Sequence, residues 1–259
     1  MNYDDSTQPG RHVVPPSRTL VTDILHFHRE IPTCAQDRLI QLTDLDHIRR
    51  SLNTRISWPV LFLKAYSSIS QRNPQLRQTW RNWPWPHLYQ HASPCGSLAV
   101  TRRFRGEDWL FWGRFRNPQN LSLESLQVSL DRLQTEEVEH LFRRQLQLSA
   151  LITPIRRLVW WWNLNLAGEK RGTRLGTFAL TTVSGRGAEI QHPPGVMTSV
   201  LTFGPIHNDG CSRVTVAYDH RLMDGAFVAE RLEELESELS GQVREELLAL
   251  TGGSGSEAA

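Results

Sequence analysis

The chain has 259 residues, of which 39% are hydrophobic and 22% charged, and a formal net charge of +2. This is enough chain to bury a substantial core, and its near-balanced charge argues against nucleic acid as a partner. Three scattered cysteines, Cys34, Cys95 and Cys211, form neither a disulfide framework nor a zinc-ribbon spacing, so a reducing, cytoplasmic setting is expected.

Residues 1–16 are polar and proline-containing, without an apolar core, and read as a flexible arm ahead of a domain spanning 17–250. Residues 18–29 place Leu20, Ile24, Leu25 and Phe27 at near-helical spacing. Residues 33–42 read as a strand. Residues 43–52 read as a short helix with Thr43 or Asp44 as N-cap. Residues 58–72 form a strong amphipathic pattern, with Leu61, Phe62, Ala65, Tyr66 and Ile69 on one face and Pro59 in the first turn. It ends before Asn73-Pro74.

Residues 80–86 are rich in Trp and Pro and read as a loop. Strands are expected at 97–100 and 109–115, around the turn Arg105-Gly106-Glu107-Asp108. Residues 122–149 read as one long helical stretch, and 151–166 as an apolar segment carrying Trp160, Trp161 and Trp162. Strands are expected at 176–183, 198–204 and 212–218, and a helix at 226–239. Residues 251–259 read as a flexible tail. Mixed helices and strands point to an α/β or α+β domain built on a sheet. No apolar run reaches the roughly 18 to 20 residues that a bilayer span needs.

The most informative stretch is Asp219-His220-Arg221-Leu222-Met223-Asp224-Gly225, where a strand hands over to a helix. A histidine there can take a proton from a thiol or hydroxyl near neutral pH, since its ordinary pKa is about 6.5. Asp224 could hold the loop through an arginine and orient the imidazole. Gly225 suits a turn that a Cβ would obstruct.

This stretch resembles the DHRxxDG signature of the catalytic domain of the dihydrolipoyl acyltransferases of 2-oxoacid dehydrogenase complexes, a fold shared with chloramphenicol acetyltransferase. Gly176 to Thr182 resembles the family's GTFTISN strand, and Pro193-Pro194 with the strand after it resembles NPPQAxILAVG. Ile31-Pro32, residues 42–52 and residues 57–80 resemble the family's IPH, its first strand-helix unit and its long helix. Residues 88–174 match poorly. The resemblance implies a CAT-like mixed sheet flanked by helices, and a homotrimer whose active-site channel lies between subunits. It implies His220 as general base and Thr181 as the hydroxyl that stabilises the oxyanion. It implies Asp224 paired with an arginine, for which Arg18 is the candidate. Asp219, Arg221, Gly225 and Thr182 are supporting positions. The implied reaction moves an acyl group from a thioester, with acyl-CoA as co-substrate and no resident cofactor, to a small-molecule or carrier-bound thiol or hydroxyl.

The chain also departs from that family. Lys64 and Lys170 are its only lysines, one in a helix and one beside a basic turn, and neither suits a lipoyl attachment site. No subunit-binding domain is visible, so a stand-alone enzyme is expected. The family's asparagine after the oxyanion residue is Thr182 here, and its GLVVPVI stretch is replaced by residues 109–114.

Blander readings stand beside these. Thr181 can be an ordinary β-branched strand residue. His26, His28 and Cys34 lack a standard zinc spacing, and no metal is expected. The segment from Leu158 to Leu166 could meet a membrane interface, line a channel for an acyl chain, or pack in the trimer. The whole chain could be a catalytically silent trimeric scaffold, which a channel blocked by Trp109, Trp112 or Trp160 would favour.

Overall fold

The computed structural model describes residues 10–252. The expected arm (1–16) and tail (251–259) therefore lie largely outside the described residues. After a short turn at Pro16–Arg18 come α1 (Thr19–His28), β1 (Thr33–Gln41), α2 (Thr43–Ser51) and α3 (Trp58–Arg72). Next are β2 (Gln78–Arg81), β3 (His87–Gln90), β4 (Cys95–Phe104) and β5 (Glu107–Arg116). Five helices follow: α4 (Leu123–Thr135), α5 (Val138–Leu141), α6 (Arg143–Ser149), α7 (Thr153–Asn165) and α8 (Glu169–Leu175). The chain then forms β6 (Phe178–Thr181), β7 (Ser199–Phe203), β8 (Cys211–Asp219), α9 (Gly225–Glu238) and α10 (Arg244–Gly252).

Six strands make one mixed sheet in the order β1-β8-β7-β6-β4-β5. The central pairs β7·β6 and β6·β4 are parallel and the outer pairs antiparallel. One face carries Leu98, Phe178, Leu180, Leu201, Phe203, Val214 and Val216, and packs on α3 and α9. Helix α3 is buried almost all round, as suits a helix at the centre of a core. Phe62 stacks on Phe203 at 4.3 Å, and the Tyr66 hydroxyl meets Ser199 Oγ at 2.8 Å. The other face is lined by small residues, among them Ala35, Ala179, Val200 and Ala217, with Met197 against them.

The turn between β4 and β5 is two residues long, and both Arg105 (φ 51°) and Gly106 (φ 83°) are left-handed. That pair of dihedrals is the one whose twist suits a tight hairpin.

Three expectations change. The Trp- and Pro-rich stretch is not all loop: β2 and β3 pair as a second, two-stranded sheet around it. The helix at 43–51 has Leu42 as N-cap, with neither Thr43 nor Asp44 in that position, and the Gln41 side chain accepts from the Leu42 amide at 3.1 Å. The stretch 122–149 is three helices. Arg102, reaching from β4, takes the carbonyls of Leu133 and Glu136 at the end of α4. Phe142 then turns inward to stack on Phe111 at 4.5 Å. Tertiary contacts thus end a helix that periodicity alone would continue.

Among the described residues no helix is long and apolar enough to cross a membrane. Helix α7 nevertheless leaves Ile155, Leu158 and Trp162 exposed, while Trp160 is buried against Phe27 and Trp161 is half-buried. At about 100° per residue, one helix face cannot cover three consecutive tryptophans. Trp109 packs inside the chain against Phe104 and Phe111, and Trp112 against the cluster around Trp160.

Candidate active site

Strand β8 ends at Asp219, which is buried, and the chain turns there: the Leu222 amide donates to the Asp219 carbonyl at 3.0 Å. Within that turn Arg221 closes on the Asp219 carboxylate, with its amide at 3.1 Å, Nε at 2.8 Å and Nη2 at 2.6 Å. The same guanidinium lies over the Trp80 indole, 5.2 Å from its centre. A planar fork suits both tasks, since it meets a carboxylate edge-on and an aromatic ring face-on.

His220 sits between these two residues. Its amide donates to the Pro32 carbonyl at 2.9 Å, so the Ile31-Pro32 segment holds the backbone from the other side. Its side chain is exposed. Among the described residues the imidazole has no hydrogen-bond partner, and the Tyr218 ring lies 5.9 Å away. The loop therefore fixes the backbone and leaves the ring facing outward.

Asp224 has a different place from the one expected. It is the N-cap of α9, and its carboxylate accepts from the Phe227 amide at 2.9 Å. Arg18 is exposed in the N-terminal turn, and among the described residues no ion pair joins it to Asp224. The aspartate that holds the loop through an arginine is Asp219, through Arg221. Gly225 is likewise not needed for a turn within the chain. A Cβ there would meet Gln36 Oε1 at 3.5 Å and the Tyr218 hydroxyl at 3.7 Å, both ordinary contacts.

Thr181 ends β6, in register with Thr202 on β7. Among the described residues its hydroxyl has no hydrogen-bond partner. Thr182 is tied into the following turn: its hydroxyl donates to the Phe203 carbonyl at 2.9 Å and accepts from the Ser184 amide at 3.0 Å.

The register separates His220 from Thr181. Tyr218 pairs with Ser199, and Ser199 with Phe178. His220 lies two residues beyond Tyr218 in one direction, and Thr181 three residues beyond Phe178 in the other. With two strand spacings across the sheet, the two Cα atoms are roughly 20 Å apart. One chain does not bring them together.

Beside the loop lies a small cleft of about 50 Å³, walled by Trp80, Trp161, Arg171, Asp219 and Arg221 among others. Arg171 is buried and donates to the Val196 carbonyl at 2.8 Å. Burial first, and then the nearby Arg81, pushes its pKa down to about 9, with Asp219 pulling the other way. Sequence reasoning did not find Trp80 or Arg171 as neighbours of the motif. They come from the second sheet and from α8, and no local pattern links either to Asp219. His28 bonds the backbone of Gly195 through Nδ1 at 3.0 Å, and Cys34 is exposed on β1.

No family model and no curated protein matches the chain. Solved structures do. A probable dihydrolipoamide acetyltransferase from Listeria monocytogenes superposes with a TM-score of 0.65 at 15% identity, covering 90% of this chain and 95% of that one. Chloramphenicol acetyltransferase superposes with a TM-score of 0.50 at 12% identity, over 89% of this chain and all (100%) of that one. The chain has the CAT-like fold. The dihydrolipoamide acetyltransferase of Azotobacter vinelandii shares it, with a TM-score of 0.64 at 16% identity over 96% and 98% of the two chains. That structure belongs to crystallographic and enzymatic work on a serine, a histidine and an asparagine in the enzyme's catalytic mechanism. At these identities the likeness is one of fold.

Proposed function

We propose that the protein is a CoA-dependent acyltransferase, working as a homotrimer with the CAT-like fold. The observation that carries this reading is His220: its backbone is braced by the Asp219–Arg221 clasp and by Pro32, and its imidazole is left exposed without an internal partner. An exposed imidazole without an internal hydrogen bond, carried on a braced backbone, suits a general base.

In the proposed reaction, His220 takes the proton of an acceptor thiol or hydroxyl. The freed sulfur or oxygen attacks the carbonyl carbon of an acyl-CoA thioester. Negative charge develops on the carbonyl oxygen, and the Thr181 hydroxyl of a neighbouring protomer donates a hydrogen bond to it. The carbon–sulfur bond then breaks, and CoA leaves as its thiol with the proton held by His220. No acyl-enzyme forms. The separation of His220 and Thr181 within one chain favours a channel shared by two protomers. Acceptors of this chemistry include small thiols, alcohols and a carrier-bound dithiol on another chain.

The test is formation of free CoA, resolved by chromatography, from acyl-CoAs of graded chain length offered with thiol and alcohol acceptors. Turnover is expected with at least one pair, and His220→Ala should lower it by roughly two to four powers of ten while leaving the fold intact. Turnover that survives the substitution would remove His220 from the mechanism. No CoA formation with any pair would leave a silent scaffold of the same fold.

A further inference from the structure

Arg114, Arg143 and Arg144, with His140, line a surface cleft of about 240 Å³ between β5 and the α5–α6 turn. No carboxylate lines it. Arg116 follows two residues after Arg114 on the same exposed face of β5. Arg174 adjoins them, since Arg114 Nη1 donates to the Arg174 carbonyl at 2.6 Å. The Arg174 guanidinium itself bonds only a neutral group, Asn163 Oδ1, at 2.9 Å. Among the described residues no ion pair includes any of these five arginines.

Some other surface arginines do have carboxylate partners. Arg38 pairs with Glu236, Arg50 with Asp46 and Arg132 with Glu136. The backbone that carries Arg114, Arg143 and Arg144 is held in place. Gln145, at the base of the cleft, accepts from the Trp112 amide at 3.1 Å and donates to the Trp112 carbonyl at 2.9 Å, which pins α6 to β5. Uncompensated guanidiniums on a fixed frame favour an anion of more than one charge, and their planar forks match phosphate oxygens.

We propose that this cleft binds a small phosphate-bearing anion of the diphosphate or nucleotide class. It lies four strands from β8 in the sheet, roughly 20 Å within one chain, so it is separate from the His220 loop. The proposal stands whether or not the protein transfers acyl groups, because binding is measured directly.

The experiment is calorimetric titration of the full chain with inorganic pyrophosphate and, separately, with adenosine 3′,5′-bisphosphate. Saturable binding at one site per chain is expected with at least one of them. The Arg143→Gln/Arg144→Gln double variant should weaken it at least about tenfold, since each lost guanidinium removes a charge-assisted hydrogen bond. Arg38→Gln/Arg50→Gln removes the same charge elsewhere and should leave binding unchanged. If the first double variant melts early, Arg116→Gln supports the same comparison. Tighter binding of the bisphosphate assigns the site to a nucleotide or a coenzyme's phosphates, and equal binding assigns it to free phosphate or diphosphate. Absence of saturable binding with both ligands, or equal weakening in both double variants, overturns the proposal.

Discussion

Arg221 grips Asp219 from two residues away, with Nε at 2.8 Å and Nη2 at 2.6 Å on opposite oxygens of one carboxylate. The carboxylate is 6% exposed and the guanidinium 23%, so water competes little for the pair. This closed ring of residues holds the backbone on either side of His220.

Asp219→Asn breaks the pair and strands a cation beside Arg171. The cost should be roughly 2 to 4 kcal/mol, toward the lower end of values for buried pairs because Arg221 keeps some water. Urea unfolding should show a lower midpoint at an unchanged slope. Arg221→Lys keeps the charge but loses the fork, and should fall between. An unchanged midpoint in Asp219→Asn would mean that the clasp does not brace the loop.

A shared channel has a direct readout. His220→Ala and Thr181→Val should each be nearly inactive alone. Equal amounts unfolded and refolded together should regain about one quarter of wild-type activity, because a channel works when its His comes from one variant and its Thr from the other. No recovery above the separate activities would sink the inter-subunit site.

Asp224 caps a helix, and that sets its effect. Asp224→Ala should cost about 1 kcal/mol, and Asp224→Asn much less, since asparagine caps as well. Arg18→Gln should leave stability unchanged. A thermal melt in which Arg18→Gln and Asp224→Asn fall together would restore the ion pair that the geometry does not make.

His91 gives the fold an acid limit. It is buried, and burial first, then Arg171, Arg81 and Arg77, pushes its pKa down to about 4. Its unfolded value is about 6.5, so between those values the unfolded chain binds the extra proton. The contribution to stability is therefore complete above about pH 6.5. It is lost as pH falls toward 4, by at most ~3 kcal/mol. Melting temperature followed from pH 7 to 4.5 should fall less steeply in His91→Gln than in wild type. Parallel slopes would remove His91 as the cause.

The tryptophans of α7 should divide by burial. Trp160→Ala opens a cavity beside Phe27 and should cost roughly 3 to 5 kcal/mol. Trp162, 54% exposed, should change monomer stability by no more than about 0.5 kcal/mol on substitution with alanine. Its effect would appear in trimer formation by light scattering or in liposome flotation. A Trp162→Ala chain unchanged in all three would leave the exposed face of α7 without a role.

Much of the fold was legible because its strands and helices carry their own periodicity. Helix α3 was read at its observed bounds, and the β4–β5 hairpin was marked by Arg105-Gly106. What was missed depends on distant partners. The break after α4 needs Arg102 from β4, and the β2–β3 pair hides in a Trp- and Pro-rich stretch. The motif contains two aspartates, and the letters do not say which one meets an arginine. Only the turn geometry shows that Asp219 does, and that Asp224 faces the first amides of α9. The arginine cleft was illegible for the same reason, because its cations come from β5, α6 and α8.

Strand β5 is the last of its sheet, and an outermost strand offers its free amides and carbonyls to any passing chain. At Trp112 the side-chain amide of Gln145 occupies both groups, as one residue of a further strand would. The sheet is thereby terminated from within. At that point copies of the protein cannot join rim to rim by adding strands, so association there has to proceed through side chains and helix faces. Gln145→Ala would reopen the rim, and the first sign would be slow growth of strand-rich aggregates in a concentrated sample rather than any loss of chemistry.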